Sequence, residues 1–217
     1  QHPLQVVDQV VNLELDLADL ISTATDPEFA IFDRSRQATD IIRQVTAQNL
    51  GQPVTVRLIV TDPVNAAIAE VQSVVAALKA GADPATVTGR SIQTIFDQSV
   101  ANLSVAEALL TQRDFDATTT FSRVTVKVID ATGAPGTSRV IDGPVAQRAL
   151  LADERLRYTG DGQAAAIERS IHAISEQFGA ELQPGGILAA GIRQQLGIPE
   201  AAGSVGSPTQ LPGTNER

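Results

Sequence analysis

The chain has 217 residues, a net charge of −9, and 43% hydrophobic against 19% charged residues, a balance that supports a folded core and excludes wholesale disorder or a collagen-like repeat. With no Cys and two His, disulfides, thiolate nucleophiles, Cys-ligated zinc and a multi-histidine metal site within one chain are excluded too. The acidic balance, with six Phe, one Tyr and no Trp, lacks both the positive potential and the stacking platforms that nucleic acid needs, so no nucleic-acid partner is expected.

No apolar run approaches the ~20 residues of a membrane span, and none is expected. The sequence opens at Gln1 and contains no Met. Methionine removal is efficient only before small side chains, so Gln1 points to endoproteolytic processing. An extracellular or periplasmic location, or a place in a virion, would follow. The plain alternative is an arbitrary boundary.

Val6, Val10, Leu13, Leu17 and Leu20 follow a 4-3-4-3 spacing that predicts an amphipathic helix. A strand competes, because Val11, Leu13, Leu15 and Leu17 alternate with Asn12, Glu14 and Asp16. The Leu, Glu and Ala content and the longer period favour the helix. Asp26-Pro27 opens the next helix, with Ile31, Ala38, Ile42 and Val45 on its buried face and Gly51 beyond its end. Val54, Val56, Leu58 and Val60 predict a strand near 54–60.

Thr61-Asp62-Pro63 caps the clearest helix, whose stripe is Val64, Ile68, Val71, Val75 and Leu78, with Gly81 placed for its C-terminal cap. After a turn at Asp83-Pro84, Ile92, Phe96, Leu103, Ala106 and Leu110 mark another helix. Val124, Val126 and Val128 predict a second strand near 123–129. Residues 131–138 form a Gly- and Pro-rich break, a possible sub-boundary. Asp142-Gly143-Pro144 then starts a helix toward Tyr158, Ile167, Ile171, Ile174 and Phe178 mark the next, and Ile187 to Leu196 add a short one.

From Gly197 the chain turns rich in Pro, Gly, Ser and Thr, with too little apolar surface to offset ordering entropy. The expected architecture is one α+β, helix-rich domain over 1–196, amphipathic helices packed on a small sheet, followed by a flexible or partner-docked tail over 197–217. A weak repeat is visible: Ile31-Phe32-Asp33-Arg34-Ser35 recurs as Ile95-Phe96-Asp97-Gln98-Ser99, each copy leading through a helix into a Val-rich strand. Chance accounts for it as well as duplication does.

Chemical motifs are sparse. Gly133 to Arg139 could offer backbone N–H groups to an anion, but such Gly-Pro clusters are mostly ordinary loops. Asp114, Asp116, Asp130, Asp142 and Asp161 lie at or near turns where Ca²⁺ ligands could gather, yet without a calcium-loop spacing; capping and turn formation explain them better. His172 and Glu176 form a local helix pair, and Asn102-Leu103-Ser104 matches the glycosylation sequon on a face expected to be buried. No catalytic or cofactor-binding residue is assigned, and no cofactor is expected.

Two functional expectations follow. The leading one is a non-enzymatic structural subunit of a processed assembly, a homo-oligomer built through a strand edge and the C-terminal tail, with Ile198, Val205 and Leu211 filling pockets on a neighbour. The alternative is a secreted or periplasmic binding module for a small molecule or protein, which a deep pocket with convergent polar groups would favour. An enzyme of acid/base or Ca²⁺-dependent type ranks third.

Overall fold

The computed structural model describes residues 10–17, 20, 22–115 and 121–199. In chain order the elements are β1 (Val11–Leu15), α1 (Pro27–Gln48), β2 (Val54–Thr61), α2 (Pro63–Lys79), α3 (Ile92–Phe115), β3 (Val124–Ala131), β4 (Arg139–Ile141), α4 (Pro144–Arg157), α5 (Asp161–Gln177) and α6 (Ala190–Leu196). Helices α1 and α2 start as their Asp-Pro pairs dictate. Asp26 accepts from the Phe29 N–H at 2.8 Å and Asp62 from the Val64 N–H at 2.9 Å, with proline in the first turn of each. At the far end of α2, Gly81 at φ 91° lets its own N–H reach Leu78 and the Ala82 N–H reach Ala77, closing the last carbonyls.

The first predicted helix is overturned. Residues 11–15 form β1, paired in parallel with β2 in the register Val11 to Val54 through Leu15 to Leu58. The 4-3-4 spacing was a coincidence of a strand that runs into a loop whose Leu17 and Leu20 are also buried. Pairing with β2 satisfies the backbone while Leu15 is buried and Asn12 and Glu14 stay exposed, so the period of two prevails over helix propensity. Val6 lies outside the described residues.

The two predicted strands are present, as β2 and β3, and the sheet is larger than they imply: among the described residues it has four strands in the order β1-β2-β3-β4, the first three parallel and β4 antiparallel to β3. Among the described residues, six helices and this mixed sheet make an α+β fold. Along β2, Val54, Val56, Leu58 and Val60 are buried, whereas Thr55 aligns with Asn12 and Thr125, and Arg57 with Glu14 and Lys127, on the opposite, polar face. Helices on one face and one polar and one charged row on the other account for the alternation within a parallel sheet, a class usually covered on both sides.

Buried side chains form two clusters. One holds the sheet, Ala38 and Ile42 of α1, Leu103 to Leu110 of α3, and Leu151 of α4. The other holds Val71, Val74, Val75 and Leu78 of α2, Ile92, Ile95 and Phe96 of α3, and residues of α5 and α6. Helix α3 thus supplies its N-terminal half to one cluster and its C-terminal half to the other.

The repeated pentapeptides start in similar ways and end in different surroundings. In each copy the serine hydroxyl donates to the carbonyl four residues back, Ser35 to Ile31 at 2.7 Å and Ser99 to Ile95 at 2.9 Å. Phe96 is fully buried in the second cluster, while Phe32 is 62% exposed and tilts against exposed Phe29 at 6.1 Å.

The expected tail boundary needs correction at its first apolar residue. Gly197 takes the left-handed conformation at φ 72°, and the Ile198 N–H turns back to the Arg193 carbonyl at 3.0 Å. This helix-ending turn favours a hydrophobic residue just after the glycine, and Ile198 is buried in the second cluster. Its side chain therefore fills a pocket of its own chain. Val205 and Leu211 lie outside the described residues.

Candidate functional site

Parallel strands present a crevice beyond their carboxyl ends, where ligand sites are favoured in α/β sheets. Here a cavity of about 330 Å³ occupies the seam between the two hydrophobic clusters. Asp16 and Leu17 after β1 and Ile59 to Thr61 of β2 form one wall; Ala66, Ala69 and Glu70 of α2 and Ile95 to Ala106 of α3 form others, and Glu154 and Tyr158 complete the lining. The walls are mainly aliphatic, and the polar groups converge from separate elements.

Helix α4 carries an unusual inward stripe. Gln147, Leu151, Glu154 and Tyr158, spaced 4-3-4, fall on one face and all are buried. Gln147 is fully engaged: its amide N–H groups donate to the carbonyls of Val126 on β3 and Ile141 on β4, both at 3.0 Å, and its oxygen accepts from Arg113 at 3.2 Å. Glu154, two turns along, has no such satisfaction. Its Oε2 is buried without a hydrogen-bond partner among the described residues, and Oε1 lies 3.6 Å from the Arg157 guanidinium, beyond hydrogen-bond reach.

Burial pushes the Glu154 carboxyl above the ordinary glutamate value. Arg157 opposes the shift, while the negative charges of Asp130, Asp62 and Asp153 add to it. Tyr158 is raised as well, first by burial and then by the Asp62 and Glu154 charges; its hydroxyl donates to Asp62 Oδ1 at 3.1 Å. Asp130 behaves in the opposite way. Burial would raise it, but hydrogen bonds from the Thr132 hydroxyl and N–H and from Arg139 outweigh that and hold it below the usual carboxylate range. Glu154, which lines the cavity, is thus a carboxyl whose charge is poorly accommodated.

At the rim, Glu70 receives two bonds from Arg90, one from its side chain and one from its backbone N–H, both 2.8 Å, and Arg90 also donates to Gln98 at 2.8 Å. Burial would raise Glu70, but these Arg90 contacts dominate and lower it. This clamp fixes the segment before α3 against α2. Behind it, Asn102 lines the cavity and accepts from Arg34 of α1 at 3.2 Å.

Glu154 gives a direct stability test. Its folded-state pKa lies above the unfolded one, so the cost of its charge is absent while it is protonated in acid and grows as pH rises through the folded value. Replacing Glu154 with Gln should raise the thermal midpoint of the ligand-free protein, with the gain widening from acid to neutral pH. A variant melting below wild type at neutral pH would mean that the Arg157 pairing outweighs burial.

The candidates from sequence are scattered. Asp114 is held by Arg113 and Arg148, Asp130 by Thr132 and Arg139, and Asp161 sits in the first turn of α5; Asp142 is exposed and Asp116 lies outside the described residues. No group of three or more His, Asp or Glu placed to hold a metal ion occurs among the described residues. In the Gly133–Arg139 loop, Thr137 turns back on the Ala134 carbonyl and Arg139 is committed to Asp130. His172 meets Glu176 at 3.2 Å on an exposed surface. Asn102 of the sequon sits in mid-helix with its amide oxygen engaged by Arg34. Sequence reasoning missed Glu154; the signal available was a Gln and a Glu occupying positions that helical spacing assigns to the buried face.

No protein-family model, curated protein or solved structure matches the chain. Among the described residues no helix is long and apolar enough to cross a membrane.

Proposed function

We propose that the protein is a binding module for a small organic molecule, taken up in the cavity at the carboxyl ends of β1 and β2. The observation that carries this reading is the enclosure of a buried, hydrogen-bond-deficient carboxyl and a buried tyrosine within mainly aliphatic walls. Sites for small molecules combine apolar lining with a few convergent polar groups that fix orientation. The rim clamp between Glu70 and Arg90 keeps the mouth in shape without occupying the interior.

The test is a fragment screen read by protein NMR, with Ala69→Trp as a blocking variant. Ala69 is exposed and lines the rim, so the indole should narrow the opening with little effect on the core. Fragments that shift cavity resonances in wild type should lose that effect in the variant while its melting stays near wild type. Binders indifferent to Ala69→Trp, or none at all, would count against the reading.

A second reading keeps the chain as a structural subunit that self-associates. It is favoured by the exposed Phe29 and Phe32 of α1 and by β1 at the end of the sheet. Native mass by light scattering decides it: a monomer across micromolar concentrations would remove this reading and leave the first.

A further inference from the structure

Resting on the small-molecule reading, we propose that the cavity takes a primary or secondary amine carried on an apolar body, its ammonium seated against the Glu154 carboxylate. What Glu154, a residue of the cavity lining, lacks is a donor. Glu154 Oε2 has none among the described residues, and a carboxylate oxygen left without hydrogen bonds in an apolar setting is costly until a ligand supplies one. Tyr158 does not supply it, because its hydroxyl is given to Asp62.

Charge narrows the class further. The groups acting on Glu154 are Asp153 and Arg157 on its own helix, Asp62 at the start of α2, and Asp130 on β3. Asp130 is paired with Arg139, which leaves Asp62, Asp153 and Glu154 itself against Arg157, a balance that favours a positive guest. The arginine at the rim cannot reverse this, since Arg90 is already matched with Glu70 and Gln98. A carboxylate ligand would meet repulsion at Glu154, and a neutral alcohol would bring the hydrogen bond without the charge. An ammonium brings both, and a charge-assisted bond in such a site is the stronger kind. The aliphatic side chains of Leu17, Val60, Ile95 and Leu103 then enclose its apolar body.

The experiment compares phenethylamine, 2-phenylethanol and 3-phenylpropionate, which share one apolar body, on the full chain by NMR titration at neutral pH. Phenethylamine should bind at least ~10-fold more tightly than the alcohol, the size expected for one hydrogen bond to a charged group, and 3-phenylpropionate should bind weakest. Glu154→Gln should remove the amine's advantage over the alcohol, with the larger loss of affinity falling on the amine. Amine binding should also strengthen as pH rises from the ordinary glutamate value of 4.5, because Glu154 must give up its proton to hold the cation.

Equal binding of amine and alcohol, tighter binding of the carboxylate, or an amine preference that survives Glu154→Gln would overturn the ammonium assignment and leave the small-molecule site standing. If none of the three perturbs the cavity and the fragment screen yields no binder that Ala69→Trp blocks, both fail together.

Discussion

Replacing Val71 with Asp is expected to destabilise the protein by about 4 kcal/mol or more. Val71 is 1% exposed and lies in the middle of α2, in the cluster that also contains Val74, Val75, Phe96 and Ile174. The substitution puts a carboxylate among aliphatic and aromatic groups with no donor to receive it, and it removes apolar volume at the same position. Domains of this size have net stabilities of roughly 5–15 kcal/mol, so the variant should lose a large share of its margin. Urea denaturation followed by far-ultraviolet circular dichroism would read the change as a large fall in the midpoint. A midpoint near wild type would mean that α2 does not bury this face.

The second large effect is expected at Gln147. Leucine has a similar size, so Gln147→Leu leaves little empty space, but three polar groups lose a partner at once: the Val126 and Ile141 carbonyls and the Arg113 guanidinium. Gln147 is 2% exposed, so water has little chance to replace it. Unsatisfied buried groups cost about 1–3 kcal/mol each, and partial relaxation of the short β4 should bring the total to about 2–4 kcal/mol. Because the amide ties β3 to β4, faster hydrogen exchange should concentrate in Ile129 and Val140, which face each other in that pairing. Loss of stability with exchange spread evenly over the sheet would argue against this local role.

Much of the fold is legible in the sequence where local chemistry and tertiary demand agree. Asp62-Pro63 and Gly81 bracket α2 because the cap, the proline and the left-handed glycine act within a few residues of chain. Val54 to Val60 and Val124 to Val128 alternate because one side of the sheet is covered and the other is not. Legibility fails at β1, where the sequence from Val6 to Leu20 satisfies two periods and only pairing with a strand some forty positions away decides between them. It fails again at β4, three residues long and defined by its bonds to β3 more than by its own pattern.

The candidate site is less legible still. Its parts come from the ends of β1 and β2, from α2, α3 and α4, and Asp62 looks from sequence like a helix cap alone. That the same carboxylate also receives the Tyr158 hydroxyl depends on packing between segments 96 positions apart. The internal repeat was visible, but its consequence was not: a phenylalanine in each copy, one enclosed by α2 and its neighbours and one left at the surface.

Tyr158 has one further consequence. It is the single tyrosine of a chain that has no tryptophan, and its phenol is buried at the lining of the cavity with its hydrogen directed at a carboxylate. The molecule therefore carries one phenol chromophore, absorbing to the red of its six phenylalanines, at the place where occupancy would be felt. Near-ultraviolet dichroism and tyrosine emission report that ring without interference from an indole. Movement of Asp62, protonation of Glu154 or arrival of a guest should each change the signal, so the unlabelled protein can be followed by light alone.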